Sequence, residues 1–305
     1  EILRCLVGSE MCIRDRIRTG SLEIEVMSSS HTCFDSFGFI IRTPNTTVYH
    51  SGDMKIDSST YFRKATNTKR LKQLAADIKF AVTDFYGIYD DGYAVKEVTT
   101  FKKLVCLMRK SRKGKIFLPV YPTHPEMYII AFLAALKLKK NVIFFGNPDF
   151  YSYLQRIIDY GISFDKMAGN RIKVIYNHDR DEIAKLKDNY VVIGTYNHVS
   201  QAFDANAENC FGIITAKTFF NPLKGQLNAH NISFTDVDAV PELQGFGHGF
   251  LGDYEYLNFI LNRPVFIPTH CPVFVIDNFR ELAAYMNMKL LPDTPRNNEI
   301  CLLYT

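Results

Sequence analysis

Five side chains in this sequence could do chemistry together: His31, Asp53, Asp84, His248 and His270. Each is expected at the end of a strand or in the loop that follows it. Loops at strand ends are where α/β and sandwich enzymes place their ligands. Imidazoles combined with carboxylates form a ligand set suited to zinc or manganese. A carboxylate such as Asp53 can bridge two such ions about 4 Å apart, the separation used in phosphoryl chemistry. Spacing alone leaves the ordinary structural histidine as the alternative at every one of these positions.

The elements that must position these groups can be read from the hydrophobic pattern. Leu22 to Met27 alternates apolar and polar residues, a strand signal, and a Ser-rich loop leads on to His31. Phe37 to Ile41 and Thr46 to Tyr49 form a hairpin around Thr43-Pro44-Asn45, and its second strand runs out into Ser51-Gly52-Asp53. Leu71 to Ala76 reads as a helix, and Phe80-Ala81-Val82 as a strand that ends at Thr83-Asp84. From there the pattern alternates. Helices over 96–109, 125–139 and 149–160 are interleaved with strands over 115–120, 141–145, 172–176 and 190–193, with a further strand at 211–215. Such alternation predicts a parallel sheet covered by helices. A helix over 253–261, a strand at Val265-Phe266-Ile267 that runs into Pro268-Thr269-His270, and a last helix over 278–287 complete the chain.

The words around the five residues are more specific than their spacing. His31-Thr32-Cys33-Phe34-Asp35-Ser36-Phe37-Gly38-Phe39 precedes the hairpin, and His50-Ser51-Gly52-Asp53-Met54-Lys55-Ile56-Asp57 follows it. Thr83-Asp84 closes a strand, and Gly247-His248-Gly249 and Ile267-Pro268-Thr269-His270 come later in that order. The series resembles the metallo-β-lactamase superfamily and, within it, the β-CASP nucleases of the ribonuclease J type. That resemblance implies an αββα metallo-β-lactamase sandwich, truncated at its N-terminal side, with an inserted α/β β-CASP domain. It implies a cytoplasmic, metal-dependent ribonuclease with two Zn2+ per complete site, or Mn2+ in their place, of which this sequence is a fragment missing the first metal motif, His-x-His-x-Asp-His. The implied partners are RNA and a homo- or hetero-oligomer with a ribonuclease J-type subunit, with no membrane involved.

Roles follow residue by residue from the same resemblance. His31 and His270 would each ligate a metal, and Asp53 would bridge. His248 would sit by the scissile phosphate, and Asp84 would orient it. RNA hydrolysis needs a nucleophile at neutral pH and compensation of phosphate charge, and two cations supply both. The sequence departs from the family pattern at several places. His270-Cys271-Pro272 stands where His-Gly-Glu is usual, and Phe85-Tyr86-Gly87 where Ser-Thr is usual. The phosphate-gripping loop corresponds here to 194–200, in which His198 and Ser200 are the candidate substrate contacts, and His124 is a third. These changes support an alternative: a catalytically weak paralogue that serves as an RNA-binding or structural subunit of a ribonuclease complex.

Composition bounds these readings. The chain has 305 residues, 47% hydrophobic and 22% charged, with formal net charge +4. That is globular and only mildly basic, so RNA is allowed but not demanded. No apolar run approaches the roughly 20 residues that span a bilayer. Of the seven cysteines, Cys5, Cys12 and Cys301 fall in terminal stretches that look adaptor-derived. Glu10 to Asp15 back-translates as GAG ATG TGT ATA AGA GAC, and Cys301 to Thr305 as its complementary counterpart. Both ends, 1–16 and 301–305, are therefore expected to be artefacts. Between them, the sandwich is expected over 17–85 and again over 237–300, with the insert over 86–236. Cys33, Cys106, Cys210 and Cys271 show no paired spacing and read as reduced thiols. Gly247-His248-Gly249-Phe250-Leu251-Gly252 also matches GxGxxG, but the match is weak, because Pro241-Glu242-Leu243-Gln244 makes no convincing β-strand to feed it and no acid follows where a ribose needs one. The active-nuclease expectation has a direct check. The uncut gene should carry His-x-His-x-Asp-His ahead of His31, and a gene without it would contradict that expectation.

Overall fold

The computed structural model describes residues 16–290, apart from 34–35, 62–63, 112–113, 122–123, 178, 180–188, 196–198, 200–209, 216–220 and 246. In chain order the elements begin with β1 (Arg16–Thr19), β2 (Leu22–Ser28), β3 (Phe37–Arg42), β4 (Thr47–His50), α1 (Thr68–Leu74) and β5 (Ile78–Asp84). Then come α2 (Glu97–Lys110), β6 (Lys115–Val120), α3 (Pro125–Lys137), β7 (Asn141–Phe145), α4 (Pro148–Asp159), α5 (Phe164–Ala168), β8 (Val174–Asn177), β9 (Tyr190–Thr195), β10 (Cys210–Ile213), α6 (Asn221–Ala229) and β11 (Ser233–Thr235). A 3₁₀ turn at Pro241–Leu243 precedes α7 (Leu251–Ile260), β12 (Val265–Thr269), α8 (Val273–Tyr285) and β13 (Lys289–Leu290). The chain folds as a mixed α/β protein with two sheets. It divides into two units, one made of residues up to Ala94 and from Gly247 onward, the other of Val95–Phe246.

The first unit is organised by the period-two alternation of its strands. Its seven-stranded sheet has the order β1-β2-β3-β4-β5-β12-β13. Neighbours are antiparallel from β1 to β4 and parallel from β4 to β13. The register lines up Ile40, Tyr49, Ala81 and Phe266 across four strands on one face. All four are buried, in a core shared with Leu71 of α1, Tyr254 and Leu257 of α7, and Val275 and Phe279 of α8. The other face carries Ile24, Ile41, Val48, Phe80 and Val265 in register, all of them only half-buried. A sheet apolar on both faces is built to be covered on both. β5 and β12 lie side by side although the whole second unit separates them in sequence.

Glu25 shares the core-side face, opposite Ile40. It is 8% exposed and held by two guanidinium groups. Arg70 of α1 donates from Nε at 2.7 Å and from Nη2 at 3.0 Å, and Arg42 of β3 donates from Nη2 at 2.8 Å. These bonds, that from Arg70 foremost, bring the Glu25 carboxyl from 4.5 down to about 2. The network borders a cavity of about 580 Å³ lined by Lys64, Asn67, Lys69 and Arg70, among others.

The second unit reads as a covered parallel sheet, and it is one. Its strand order is β11-β10-β6-β9-β7-β8, and every pairing is parallel. The central strands β6 and β9 are buried at every position, as expected of strands covered on both faces. Pro125 opens α3 at its first turn, where a missing N–H is harmless. Two short helices escape the sequence pattern, α5 and α6; α5 is capped by Ser163, whose hydroxyl accepts from the Lys166 N–H. The last helix starts at Val273, five residues earlier than its pattern indicates, directly after Pro272. Among the described residues no helix is long and apolar enough to cross a membrane.

A depressed carboxylate stabilises the fold above its unfolded pKa, and this stabilisation is lost as pH falls through the folded value. Glu25 should therefore contribute most above pH 4.5, with loss toward about pH 2. Glu25→Gln is expected to lower stability near neutrality by roughly 1–2 kcal/mol, the free-energy equivalent of such a shift reduced by solvent screening of partly exposed partners. Urea titrations of both proteins from pH 7 to 3 should show the gap narrowing with acid. A gap independent of pH would contradict the assignment.

Candidate metal centre

Strand direction explains why the chemical residues meet. β2, β4, β5 and β12 all run the same way, so their C-terminal ends share one edge of the sheet. His31 lies three residues past β2, Asp53 three past β4, Asp84 closes β5 and His270 directly follows β12. His248 arrives from the loop that leads into α7.

Hydroxyl groups clip these loops together. Ser36 Oγ donates to the Asp53 carbonyl at 2.8 Å, and Ser29 Oγ to the same oxygen at 3.3 Å. Ser30 and Thr66 bond reciprocally, each hydroxyl accepting the other's N–H at 2.9 and 2.8 Å. The Lys55 N–H donates to the Ser30 carbonyl at 2.8 Å. Ser51 Oγ accepts the Asp84 N–H at 3.0 Å, joining the ends of β4 and β5. Gly52 makes the turn possible. Its φ is +58°, and a Cβ there would collide with the Phe37 carbonyl oxygen.

Asp84 is the hub. It is 1% exposed, and four donors converge on its carboxylate. Oδ2 accepts from His248 Nδ1 at 2.6 Å and from the Met54 N–H at 3.1 Å. Oδ1 accepts from the Tyr86 N–H at 2.9 Å and faces His270 Nδ1 at 3.5 Å. Burial pushes this carboxyl up, but the bonds from His248 and His270 outweigh it and hold it at about 2. His270 Nδ1 also meets Asp53 Oδ1 at 3.1 Å. Its hydrogen bonds to Asp53 and Asp84 push the imidazole up to about 10, and His270 in turn holds Asp53 below the usual carboxylate range. His31 Nε2 points toward Asp53 Oδ2 at 3.9 Å, and its ring lies 4.9 Å from that of His248. His270 sits at φ +44°, a left-handed backbone that non-glycine residues rarely adopt.

The five residues read from the sequence thus come together. Donor atoms of His31, Asp53 and His248 lie within 4.8 Å of one another, as do those of Asp84, His248 and His270. Three imidazoles and two carboxylates suit a divalent cation of the zinc or manganese kind. The surroundings are shaped for an uncrowded His31: a Cβ on Gly247 would lie 2.6 Å from its Nε2. His124 belongs to the second unit, at the N-terminus of α3, with its ring 5.2 Å from Tyr121. His198 and Ser200 lie outside the described residues. Sequence reasoning missed the serine clips and Tyr86. The run Ser28-Ser29-Ser30 next to His31 was the available signal for the clips.

No protein-family model matches the chain. Over 135 residues it is 25% identical to ribonuclease J of Thermus thermophilus, an alignment that covers 44% of this chain and 23% of that protein. A crystal structure of a protein of unknown function from Enterococcus faecalis superposes with a TM-score of 0.60 at 17% identity. That superposition covers 85% of this chain and 60% of the other, and it speaks to the fold alone. The chain therefore spans less than two thirds of either relative.

Gly52→Ala should cost about 1–3 kcal/mol, because alanine meets both a left-handed φ and a backbone oxygen. Chemical denaturation checks this. An unchanged midpoint would show that the turn before Asp53 tolerates a side chain.

Proposed function

We propose that this chain carries the catalytic face of a metal-dependent phosphodiesterase that hydrolyses RNA, of the ribonuclease J type. One observation carries the reading: His31, Asp53, Asp84, His248 and His270 converge at one sheet edge, in the chain order of that family's motifs. The similarity to the Thermus ribonuclease supports it. On this reading the first unit is a metallo-β-lactamase domain, and its half-buried second face is the surface a partner sheet of the sandwich covers. The second unit is the β-CASP insertion, entered from β5 and left before α7.

His31, Asp53 and His270 would hold Zn2+ or Mn2+. Such cations neutralise phosphate charge and supply a nucleophile at neutral pH. The remaining work falls to the protein. Asp84 accepts the Nδ1 proton of His248 at 2.6 Å, which fixes the ring and turns Nε2 toward the substrate. A proton held on that Nε2 can then pass to the leaving oxygen as the phosphodiester bond breaks. Asp84 itself keeps its charge, as its depressed pKa requires. A second reading, an RNA-binding subunit with little activity, is favoured by Cys271-Pro272 directly after the strained His270.

Calorimetric titration with Zn2+ or Mn2+ separates these readings from a structural cluster. The chain should bind cation, and Asp53→Asn and Gly247→Ala should each weaken binding tenfold or more, the scale seen when a ligand or its support is disturbed. In protein expressed from the full gene, hydrolysis of 5′-monophosphorylated RNA should follow the cation and be lost in His248→Ala. Cation binding without hydrolysis would favour the subunit reading. Binding indifferent to Asp53 would exclude a metal centre at these residues.

A further inference from the structure

Three large rings of the first unit are partly exposed, Tyr86 against the candidate centre and Tyr89 and Phe274 against each other. Tyr86 is 46% exposed, Tyr89 47% and Phe274 54%. The Tyr86 ring lies against both imidazoles, 4.8 Å from His248 at 36° and 5.3 Å from His270 at 29°. Its backbone N–H is bonded to Asp84 Oδ1, so the ring is anchored by the carboxylate that holds the histidines. Tyr89, three residues on, packs on Phe274 at 5.1 Å. Phe274 lies four residues beyond His270, in the first turn of α8. None of the three belongs to the buried core of this unit, so hydrophobic burial does not account for their placement. An aromatic face left open beside a phosphate-handling site suits an unpaired base, because every base has a π-face to stack. Bases in a duplex already stack on each other and cannot reach such a surface.

We propose that Tyr86, Tyr89 and Phe274 form a stacking ledge for the bases of single-stranded RNA next to the phosphate presented to His248 and His270, an inference that rests on the nuclease reading. The ledge binds and orients substrate. It gives preference for unpaired RNA with little preference for sequence.

The test is a fluorescence titration of the full chain, in EDTA, with a ten-nucleotide RNA carrying 2-aminopurine, beside an abasic strand of equal length and charge. The ledge predicts quenching on binding and a Kd at least tenfold tighter than for the abasic strand, in keeping with stacking energies per base. Tyr86→Leu and Phe274→Leu should each weaken binding of the base-bearing strand roughly fivefold or more and leave the abasic strand unaffected. Tyr86→Phe should bind as the unaltered chain does. Equal affinity for both strands, no binding, or leucine variants that bind normally would overturn the proposal. The abasic comparison needs no variant to fold. Repeating the series with divalent cation separates the two claims. Base-dependent binding by protein from the full gene that does not cleave would overturn the nuclease reading and leave the base contact at these rings. Cleavage with base-independent binding would do the reverse.

Discussion

A buried carboxylate that must be satisfied organises this structure. Asp84 is almost wholly enclosed, and an uncompensated charge there would be prohibitively unfavourable. Compensation comes from four directions: the Met54 N–H from the loop after β4, the Tyr86 N–H from its own turn, His248 from the loop before α7, and His270 from the end of β12. The groups that stabilise this charge are the groups that could bind a cation and a phosphate. Fold and site are therefore one arrangement. Removing the Asp84 charge would release both histidines and two loops together.

The sheet makes that convergence possible. Parallel pairing of β4, β5 and β12 puts three chain ends at one edge, and two antiparallel steps bring β2 round in the same direction. Serine and threonine side chains then fix loops that have no regular structure of their own. The result is a preorganised set of donors on rigid strand ends, as a catalytic site requires.

Much of this was legible in the sequence. Alternation marked β2, apolar and β-rich runs marked β3 to β5, and an acid or histidine at or just past the ends of β2, β4, β5 and β12 marked the candidate site. What escaped has physical reasons. Glu25 reads as the solvent side of an alternating strand, yet Arg70, 45 residues on, pairs with it and buries it. The serine clips span up to 36 residues and join hydroxyls to distant backbone, which no local pattern reports. α6 contains Pro222 and Gly225, residues that weaken a helical signal and are overruled by packing of Leu223 and Leu227 into the second core. Tyr86 looks like any aromatic residue until the fold lays it across two imidazoles.

The central claim is that nitrogen and oxygen donors of these residues hold the metal. Two thiols lie close in sequence to the proposed ligands, Cys33 and Cys271, and neither has a role in the proposed site. Zinc K-edge X-ray absorption on the chain loaded with one equivalent of Zn2+ tests this most directly. Ligation by these residues gives a shell of nitrogen and oxygen at about 2.0–2.2 Å, with imidazole scattering behind it. A sulfur shell at about 2.3 Å, or a zinc ion without imidazole, would contradict it.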